Sequence, residues 1–478
     1  MERETRMPVL EQVARQVSAN GRGEEYRDVM VLHINHCMDN SLWFSDILHR
    51  FFERTVFVGV PYNDNRVEPA WSFPFCYGIR NHQEYELWDG EETFGKIQET
   101  AENTFLSAAE LLIERALKRY LVPEMEKGKR LLILEDGGYH YPVVEALLKE
   151  KPYLTKQICG CVEQTASGTR RGQLFHRQKG VPYTRASISR SDIKMYVESC
   201  FIGHRVVEEL AGFLSNANRF LDFHNVLLLG YGIIGRQVAL DLKARSCFLQ
   251  VYDPDPVICA TAEADGCRVE ADVTKETFCG DTIVIGNVGV PSFTAEMLEA
   301  FFNSSSKELY LASSSSQKWE FQRFLDMAEG TLPWPGQAEM TGIKEGNGYR
   351  IYDFQVRTGE KRVYLIADGV PVNFYRKEAV SLTCSMIDLV FSQMFSIGLA
   401  LCREKTGGGL WMHGKNRKKQ EIFSDQELVN LWKVQYGLLV LENADGCFAG
   451  HPNGDYLRDQ MFDEERMKKD EGTDTDIS

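Results

Sequence analysis

In the first half of the chain, short β-branched runs alternate with amphipathic stretches. This pattern is typical of parallel strands joined by crossover helices. It predicts strands over residues 29–34, 56–60, 131–134 and 158–162, and helices over 41–52, 96–120 and 142–149. Three of these strands run into polar or glycine-rich segments, which are 33–36, 135–138 and 163–165. Ligands of open α/β sheets bind beyond the carboxyl ends of strands, so we expect these segments to converge on one crevice.

A second αβ system begins near Asn225. A short aliphatic strand at 225–229 runs directly into Gly230-Tyr231-Gly232-Ile233-Ile234-Gly235 and a helix to about residue 244, and the next strand, 247–252, ends in Asp253. A glycine pattern between strand and helix, with an acidic residue about 20 positions on, is typical of dinucleotide binding. The alternative is a helix that only packs tightly on its strand.

Each residue of this motif has a distinct predicted task. Gly230 permits the tight turn, Gly232 lets the backbone approach a pyrophosphate at the helix N-terminus together with Ile233 and Ile234, and Gly235 allows close packing of helix on strand. Asp253 would accept hydrogen bonds from ribose hydroxyls and repel a 2′-phosphate, which favours NAD over NADP. Asn287, after a strand at 282–285, either lines the same groove or belongs to a plain turn.

The remaining patterns complete the predicted architecture. A strand is expected at 308–312, a hairpin around 350–367, a long apolar helix at 377–404, and a solvated acidic tail from 455. The fold class is therefore α/β, with two doubly wound parallel-sheet domains joined by long helices. We predict the first part of a substrate domain at 1–205, a Rossmann domain at 206–375, and a return helix with a divergent tail at 376–478.

Composition narrows the classes of function. The 478 residues allow two or three domains, and no run of 18 to 20 uninterrupted apolar residues or N-terminal signal segment is evident, so we expect a cytoplasmic protein. A net charge of −15 disfavours nucleic acid and anionic membranes and favours a small-molecule ligand. The 12 cysteines lack paired zinc spacing, so we expect reduced thiols and no metal, with a metal or redox site as the alternative.

Candidate acid–base residues lie in the first domain. Asp136 precedes two glycines at a strand end, and Lys194 and Glu198 share a face if their segment is helical. Such a pair is either a surface salt bridge or, in a desolvated crevice, a base for proton abstraction. His36 is either a polar residue at a strand end or an acid–base group converging on Asp136.

Taken in order, these segments resemble the adenosylhomocysteinase family, NAD-dependent enzymes that reversibly hydrolyse S-adenosylhomocysteine. The matching runs are His36-Cys37-Met38, Leu134 to Gly138, Glu163 to Gly168, Ser191 to Lys194, Gly230 to Gly235, Val251 to Pro256 and Pro371-Val372-Asn373. The resemblance implies a homo-oligomer and transient oxidation of the ribose 3′-hydroxyl, followed by elimination and hydration at C5′. It places Lys194 and Asp136 at the 3′-hydroxyl and C4′, and His36 at the 5′ side.

The resemblance also assigns binding residues, and several of them are altered. Thr165 and Ser167 fall near the nicotinamide, and Ser199 and Asn373 fall at cofactor contacts. The family's acidic residue that holds ribose hydroxyls aligns with Gln164, or with Glu163 after a one-residue shift. Glu198 replaces an aspartate and Ser199 an asparagine, residues 313–316 and 379–381 lack the family's histidines, and the tail lacks its lysine and tyrosine.

The groups for NAD and the ribose 3′-centre are thus kept, while those for the rest of the substrate differ. We expect an adenosylhomocysteinase-like enzyme that acts on S-adenosylhomocysteine or a related nucleoside. Two alternatives stay open: a catalytically silent NAD-binding regulatory protein, and an NAD-dependent dehydrogenase of a secondary alcohol.

Overall fold

The computed structural model describes residues 7–19, 22–60, 76–79, 84–88, 93–98, 105–315, 319–375, 382–403, 409–412 and 422–438. These residues form two compact units. Unit 1 contains the described residues up to Glu198 and from Thr383 onward, and unit 2 contains those from Ser199 to Leu382. Each unit is built on a largely parallel sheet, which confirms the predicted α/β class. The domain boundaries given above stay predictions.

The helices and strands are numbered in chain order. The helices are α1 Pro8–Ala19, α2 Asp39–Phe51, α3 Phe105–Ala116, α4 Val122–Glu126, α5 Tyr141–Glu150, α6 Ala166–Lys179, α7 Ser199–Asn216, α8 Ile233–Ala244, α9 Pro256–Ala264, α10 Ala295–Phe302, α11 Gln322–Ala328, α12 Cys384–Arg403 and α13 Asp425–Gln435. The strands are β1 Val29–His36, β2 Arg54–Val60, β3 Cys76–Ile79, β4 Glu84–Trp88, β5 Thr93–Gln98, β6 Arg130–Glu135, β7 Ile158–Glu163, β8 Thr184–Ser187, β9 Asn225–Leu229, β10 Phe248–Tyr252, β11 Arg268–Val269, β12 Thr282–Gly286, β13 Glu308–Ser313, β14 Glu339–Gly346, β15 Tyr349–Val356, β16 Gly359–Ile366 and β17 Gly409–Met412.

The sheet of unit 1 has the order β17-β8-β7-β6-β1-β2-β3-β4-β5, and β4 runs against its neighbours. Strand β2 pairs with one edge of β1, and β6, which comes later in the chain, pairs with the other edge. This reversal of strand order opens a crevice at the carboxyl ends of β1 and β6, where ligands of such sheets bind.

The sheet of unit 2 has the order β11-β10-β9-β12-β13-β16-β15-β14. The strands from β11 to β16 in this order are parallel, and β15 and β14 are added as antiparallel hairpins. Strand order reverses between β9 and β12, so the glycine turn after β9 lies beside the end of β12.

Helix α12 is buried around its whole circumference and forms part of the core of unit 1. Every residue from Met386 to Cys402 is buried. Within the described residues it is the one helix whose length and composition would allow it to cross a membrane. Buried core helices meet the same test, and the burial of α12 within unit 1 accounts for its composition.

The predicted elements differ from the structure in a few places. Residues 96–98, predicted as helix, belong to β5, because they pair with β4 and tertiary pairing overrides the local pattern; α3 begins at Phe105. Helix α12 begins at Cys384 rather than at residue 377. Residues 376–381 and the tail from 455 lie outside the described residues.

Candidate active site

The carboxyl ends of β1, β6 and β7 meet at Asp136 in unit 1. The His36 Nε2 atom lies 3.6 Å from Asp136 Oδ2, and the side chains are 16% and 13% exposed. The Gln164 amide donates a hydrogen bond of 2.6 Å to the same oxygen and is 4% exposed. The structure therefore brings together the segments that were expected to converge.

Glycines explain how Asp136 reaches this position. Gly137 and Gly138 have φ angles of 114° and 70°, which side-chain-bearing residues rarely adopt, so the backbone turns away directly after Asp136. A Cβ atom on Gly138 would lie 2.8 Å from the carbonyl oxygen of Gly168, so the turn also needs glycine for space.

Glu163 forms hydrogen bonds with both of the turns that carry Asp136 and Gln164. Its Oε1 atom accepts hydrogen bonds from the backbone of Gly137 at 3.2 Å and from the backbone and hydroxyl of Thr165, both at 2.7 Å. Burial raises the pKa of Glu163 to about 8, and the nearby carboxylates of Glu135 and Asp136 add to the shift. Since Glu163 is bound to these turns, Gln164 is the residue of this segment that contacts Asp136.

A buried pair next to Asp136, formed by Glu135 and His140, was not identified from the sequence. Glu135 accepts the backbone N–H groups of Tyr139 and His140 at 2.5 and 3.0 Å and contacts His140 Nδ1, while His140 Nε2 lies 2.9 Å from the Tyr183 hydroxyl. Burial disfavours the charged imidazole, but Glu135 outweighs it and raises the pKa of His140 to about 10. The signal in the sequence is a glutamate at a strand end with a histidine five positions on.

Lys194 and Glu198 form an ion pair of 2.5 Å whose side chains are only 14% and 6% exposed. A surface salt bridge, one alternative above, is therefore excluded. The pair lies in a π-helical segment, Ile193–Glu198, a distortion that is frequent at functional sites. Burial raises the pKa of Glu198, and Lys194 opposes this rise. The negative charge of Asp136 raises the pKa of Glu198 further, so Asp136 and the ion pair interact electrostatically.

Thr165 and Ser167 lie at the start of α6. Thr165 caps the helix by accepting a 3.1 Å hydrogen bond from the Gly168 backbone, and the hydroxyl of the exposed Ser167 lies 3.4 Å from the Thr165 hydroxyl. Their suggested role beside a nicotinamide stays a prediction.

The glycine turn of unit 2 has the form that the motif predicts. Gly230 has a φ angle of 91°, and a Cβ atom on Gly235 would lie 2.4 Å from the Gly230 carbonyl oxygen. Gly232 precedes α8, which begins at Ile233, and a Cβ atom there would meet nothing within 4 Å. A side chain at this glycine would fill open space beside free helical N–H groups, where a dinucleotide pyrophosphate fits.

Asp253 follows β10 and accepts a 3.0 Å hydrogen bond from the Tyr231 backbone and one of 2.9 Å from the Asp255 backbone. Asn287 follows β12, and its backbone donates to the carbonyl oxygen of Leu229, the last residue of β9, at 2.9 Å. Both side chains therefore flank the glycine turn at the reversal of strand order. The residues present fit a dinucleotide.

A second residue missed by sequence reasoning organises the neighbouring loops. Glu320 is fully buried, and its Oε1 atom accepts the backbone N–H groups of Val288 and Gly289, each at 2.6 Å. It also contacts the hydroxyls of Ser292 and Ser315, so one carboxylate holds the loops after β12 and β13. Of the two strands that these loops follow, β12 pairs with β9, and β13 pairs with β12.

Ser199 and Asn373 are both buried and belong to unit 2. Ser199 is the first residue of α7, and Asn373 lies in a short 3₁₀ turn after β16. Their proposed contacts with a cofactor stay predictions.

The fold and the two sites define an α/β protein with a dinucleotide-type turn and a buried acid–base cluster. No protein-family profile matches the chain. Among curated proteins, it is 22% identical to an adenosylhomocysteinase of Aquifex aeolicus over 55% of this chain and 57% of that protein. It is 21% identical to one of Pyrococcus abyssi over 51% and 52% of the two chains.

It is also 22% identical to an S-inosyl-L-homocysteine hydrolase of Methanothermobacter thermautotrophicus over 59% and 62% of the two chains. The resemblance to adenosylhomocysteinases is thereby confirmed. The matches span only about half to three fifths of these relatives.

Solved structures show only partial likeness to this chain. The pyruvate reductase of Chlamydomonas reinhardtii has a TM-score of 0.33 and 14% identity over 64% of this chain and 75% of that one. The D-lactate dehydrogenase of Escherichia coli has a TM-score of 0.33 and 11% identity over 63% and 79%.

Proposed function

We propose that the protein is an NAD-dependent enzyme of the adenosylhomocysteinase type. It would transiently oxidise the ribose 3′-hydroxyl of S-adenosylhomocysteine or a related nucleoside, with elimination and hydration at C5′. The observation that carries the proposal is the convergence of His36, Gln164 and Asp136, together with the buried ion pair of Lys194 and Glu198. Acid–base groups of this kind in one crevice suit repeated proton transfer at a sugar.

The backbone at Gly232, in the turn shaped by Gly230 and Gly235, would hold the pyrophosphate of NAD, and Asp253 would bind a ribose hydroxyl. When bound, NAD supplies a reversible hydride acceptor. The negative charge of Asp253 disfavours a 2′-phosphate, so we expect weaker binding of NADP.

The residues of unit 1 would move protons. Lys194 is largely buried beside Glu198 and, after losing its own proton, would accept a proton from the ribose 3′-hydroxyl. Asp136 would act at the adjacent carbon, C4′. Burial lowers the pKa of His36 while Asp136 opposes the shift, so its imidazole is neutral at neutral pH and able to accept a proton.

Gln164 stands where the resemblance places an acidic residue, which favours a substrate that differs from S-adenosylhomocysteine. An acidic residue at this position would put a second carboxylate against Asp136, whereas the amide donates to it. The amide also removes one acceptor for sugar hydroxyls. Since one relative is an S-inosyl-L-homocysteine hydrolase, an inosyl thioether belongs among the substrates to test.

The test is to mix protein and NAD with S-adenosylhomocysteine, S-inosylhomocysteine, adenosine and inosine, and to record the absorbance of reduced nicotinamide and free thiol. We expect both signals with at least one compound. Replacing Lys194→Met together with Glu198→Gln, which avoids an unpaired buried charge, should lower the rate by about 100-fold or more while NAD affinity is unchanged. Lys118→Met, in an exposed pair with Glu114, is the matched control. Absence of both signals with every compound would overturn the proposal.

A catalytically silent NAD-binding protein is a second candidate. It is favoured by the hydrogen bond between Gln164 and Asp136, and by the sequence of residues 313–316, which contains no histidine. This candidate predicts NAD binding without any absorbance change. A simple dehydrogenase would instead accumulate reduced cofactor in proportion to its substrate.

A further inference from the structure

A polar network in unit 1 connects helix α13 to the segment that carries Lys194. Asp425 is the first residue of α13, and its Oδ2 atom accepts a hydrogen bond of 3.1 Å from the backbone of Asp192. Its Oδ1 atom accepts one of 2.5 Å from the side-chain amide of Gln393, in the middle of α12. These contacts join residues 233 and 32 positions apart, so they form only when the chain is folded.

From Gln393 the network continues to the backbone of Lys194. The Ser191 hydroxyl donates to Gln393 Oε1 at 3.0 Å, and the backbone N–H of Lys194 donates to the Ser191 oxygen at 3.2 Å. Both Gln393 and Ser191 are fully buried. Because water does not reach these side chains, each bond is stronger than it would be at the surface.

The carboxylate of Asp425 fixes the direction of each hydrogen bond. A carboxylate only accepts, so the NH₂ group of Gln393 must face Asp425 and its carbonyl oxygen must face Ser191. That carbonyl oxygen also only accepts, so the Ser191 hydroxyl donates to it and keeps its lone pairs for the N–H of Lys194. The network therefore has one arrangement in which every group has a partner.

Helix α13 is held in place by contacts outside the candidate site. Ser424 and Glu427 form a capping box at its start, and Trp432 Nε1 donates a hydrogen bond of 2.7 Å to the Ser385 carbonyl oxygen of α12. These contacts set the position of Asp425 independently of the segment that it holds.

The network ends at the start of the π-helical segment Ile193–Glu198. Lys194 is the second residue of this segment and pairs with Glu198 at its end, at 2.5 Å. The first N–H groups of a helix have no partner within the helix, so an acceptor outside it decides how the helix begins. Ser191 supplies this acceptor for Lys194.

We propose that Asp425, acting through Gln393 and Ser191, is a positioning residue for Lys194. The inference rests on the proposed function, in which Lys194 accepts a proton from the ribose 3′-hydroxyl. A displacement of about 1 Å at a reacting group can slow a reaction by about 100-fold, so the network affects the rate as well as the stability of unit 1.

The test exchanges the amide and the carboxylate between positions 393 and 425 in the full chain. Asp425→Asn leaves one acceptor for two donors, and Gln393→Glu places two carboxylates face to face. In the double variant, the asparagine oxygen accepts the Asp192 N–H, and the asparagine amide donates to the new carboxylate at position 393. That carboxylate also accepts the Ser191 hydroxyl, so every donor has a partner again.

Two measurements report on the geometry at Lys194. Without any ligand, the rate at which acetic anhydride labels Lys194, relative to the exposed Lys118, should rise several-fold in each single variant, because the pair with Glu198 is held less firmly. With NAD and substrate, the rate of the nicotinamide signal should fall about 10-fold or more while NAD affinity is unchanged. The double variant should bring both values back to within about twofold of the wild type.

Trp432→Phe is the matched control. It removes the hydrogen bond to Ser385, so the midpoint of urea unfolding should fall while both measurements at Lys194 match the wild type. If Gln393→Glu does not fold, Asp425→Asn and the double variant decide the question.

The proposal is overturned if Asp425→Asn labels Lys194 as the wild type does, or if the double variant does not restore both values. It is also overturned if Trp432→Phe changes them as much as Asp425→Asn does at an equal loss of stability. If no compound gives a nicotinamide signal, the proposed function fails, whereas labelling without ligand still decides whether Asp425 positions Lys194.

Discussion

At the scale of single residues, the candidate site concentrates acidic groups that water barely reaches. Burial raises the pKa of Glu163 and of Glu198; Glu135 and Asp136 add to the shift of Glu163, and Asp136 adds to that of Glu198. Each carboxylate is nevertheless stabilised by a specific partner, such as His140 for Glu135 and Lys194 for Glu198. Buried charges persist only when they are paired in this way.

Substitution by alanine should have different effects at Gly235 and at Gly232, two glycines of the same motif. In Gly235→Ala, the new Cβ atom meets the Gly230 carbonyl oxygen at 2.4 Å, so unit 2 should lose about 1–3 kcal/mol of stability without any ligand. In Gly232→Ala, the Cβ atom enters open space, so stability should hardly change. NAD affinity should nevertheless fall about 10-fold or more, because the methyl group would stand where the pyrophosphate approaches.

Urea unfolding and calorimetric titration with NAD measure the two effects separately. If Gly232→Ala bound NAD as the wild type does, the pyrophosphate would not lie at this turn. Gly266→Ala, at a positive-φ glycine elsewhere in unit 2, controls for general backbone strain.

At the scale of elements, Asp388 joins three helices of unit 1. Its carboxylate accepts the N–H groups of Val9 and Leu10 at the start of α1, at 2.9 and 3.0 Å, and the hydroxyl of Tyr436 beyond α13, at 3.0 Å. Burial raises the pKa of Asp388 to about 6, although these donors oppose the shift. The folded-state pKa exceeds the unfolded value, so this group's contribution to stability is complete below about pH 4 and is lost as the pH rises through about 6.

Tyr436→Phe should therefore cost more at neutral than at acidic pH. The tyrosine hydroxyl binds a charged carboxylate at pH 7.5 and a largely neutral one at pH 4.5, so we expect losses of about 2 and about 1 kcal/mol. Urea unfolding at both pH values measures this difference. Tyr153→Phe, at an exposed hydroxyl bound to Glu126, should cost less than about 0.5 kcal/mol. Equal losses for Tyr436→Phe at both pH values would contradict the role given to Asp388.

At the scale of the whole molecule, the protein consists of two units, each with its own sheet and its own reversal of strand order. The acid–base cluster lies in unit 1 and the glycine turn in unit 2. Ligand effects can therefore be followed in each unit separately.

NAD should protect backbone amides of unit 2 from hydrogen exchange, chiefly between residues 229 and 236 and around Asp253. At a concentration of about 100 times Kd it should stabilise the protein by about 2.7 kcal/mol. The edge hairpin of β14 and β15 is the internal control and should change least. Protection confined to that hairpin would place the cofactor elsewhere, and Asp253→Ala should reduce the stabilisation.

The sequence predicted much of the fold because the relevant signals are local. Buried parallel strands appear as β-branched runs, and the strand from Asn225 to Leu229 was located to the residue. The segment 96–98 was assigned wrongly, because pairing with β4 rather than its own pattern decides its conformation. Asp136 and the glycine turn were visible because strand ends and turns carry local signatures.

By itself, the sequence determined the α/β class, the motif at Gly230–Gly235, and the chemical identity of the candidate groups. Only the tertiary structure decided which groups meet: Glu163 bonds to the turns around Asp136, His140 contacts Glu135, and Glu320 lies between two loops. The contacts of Glu163 with Gly137 and of Glu320 with Val288 join residues 26 and 32 positions apart, and that of His140 with Glu135 depends on the path of the turn after β6. Their burial, which sets charge and reactivity, arises only when the sheets and helices pack.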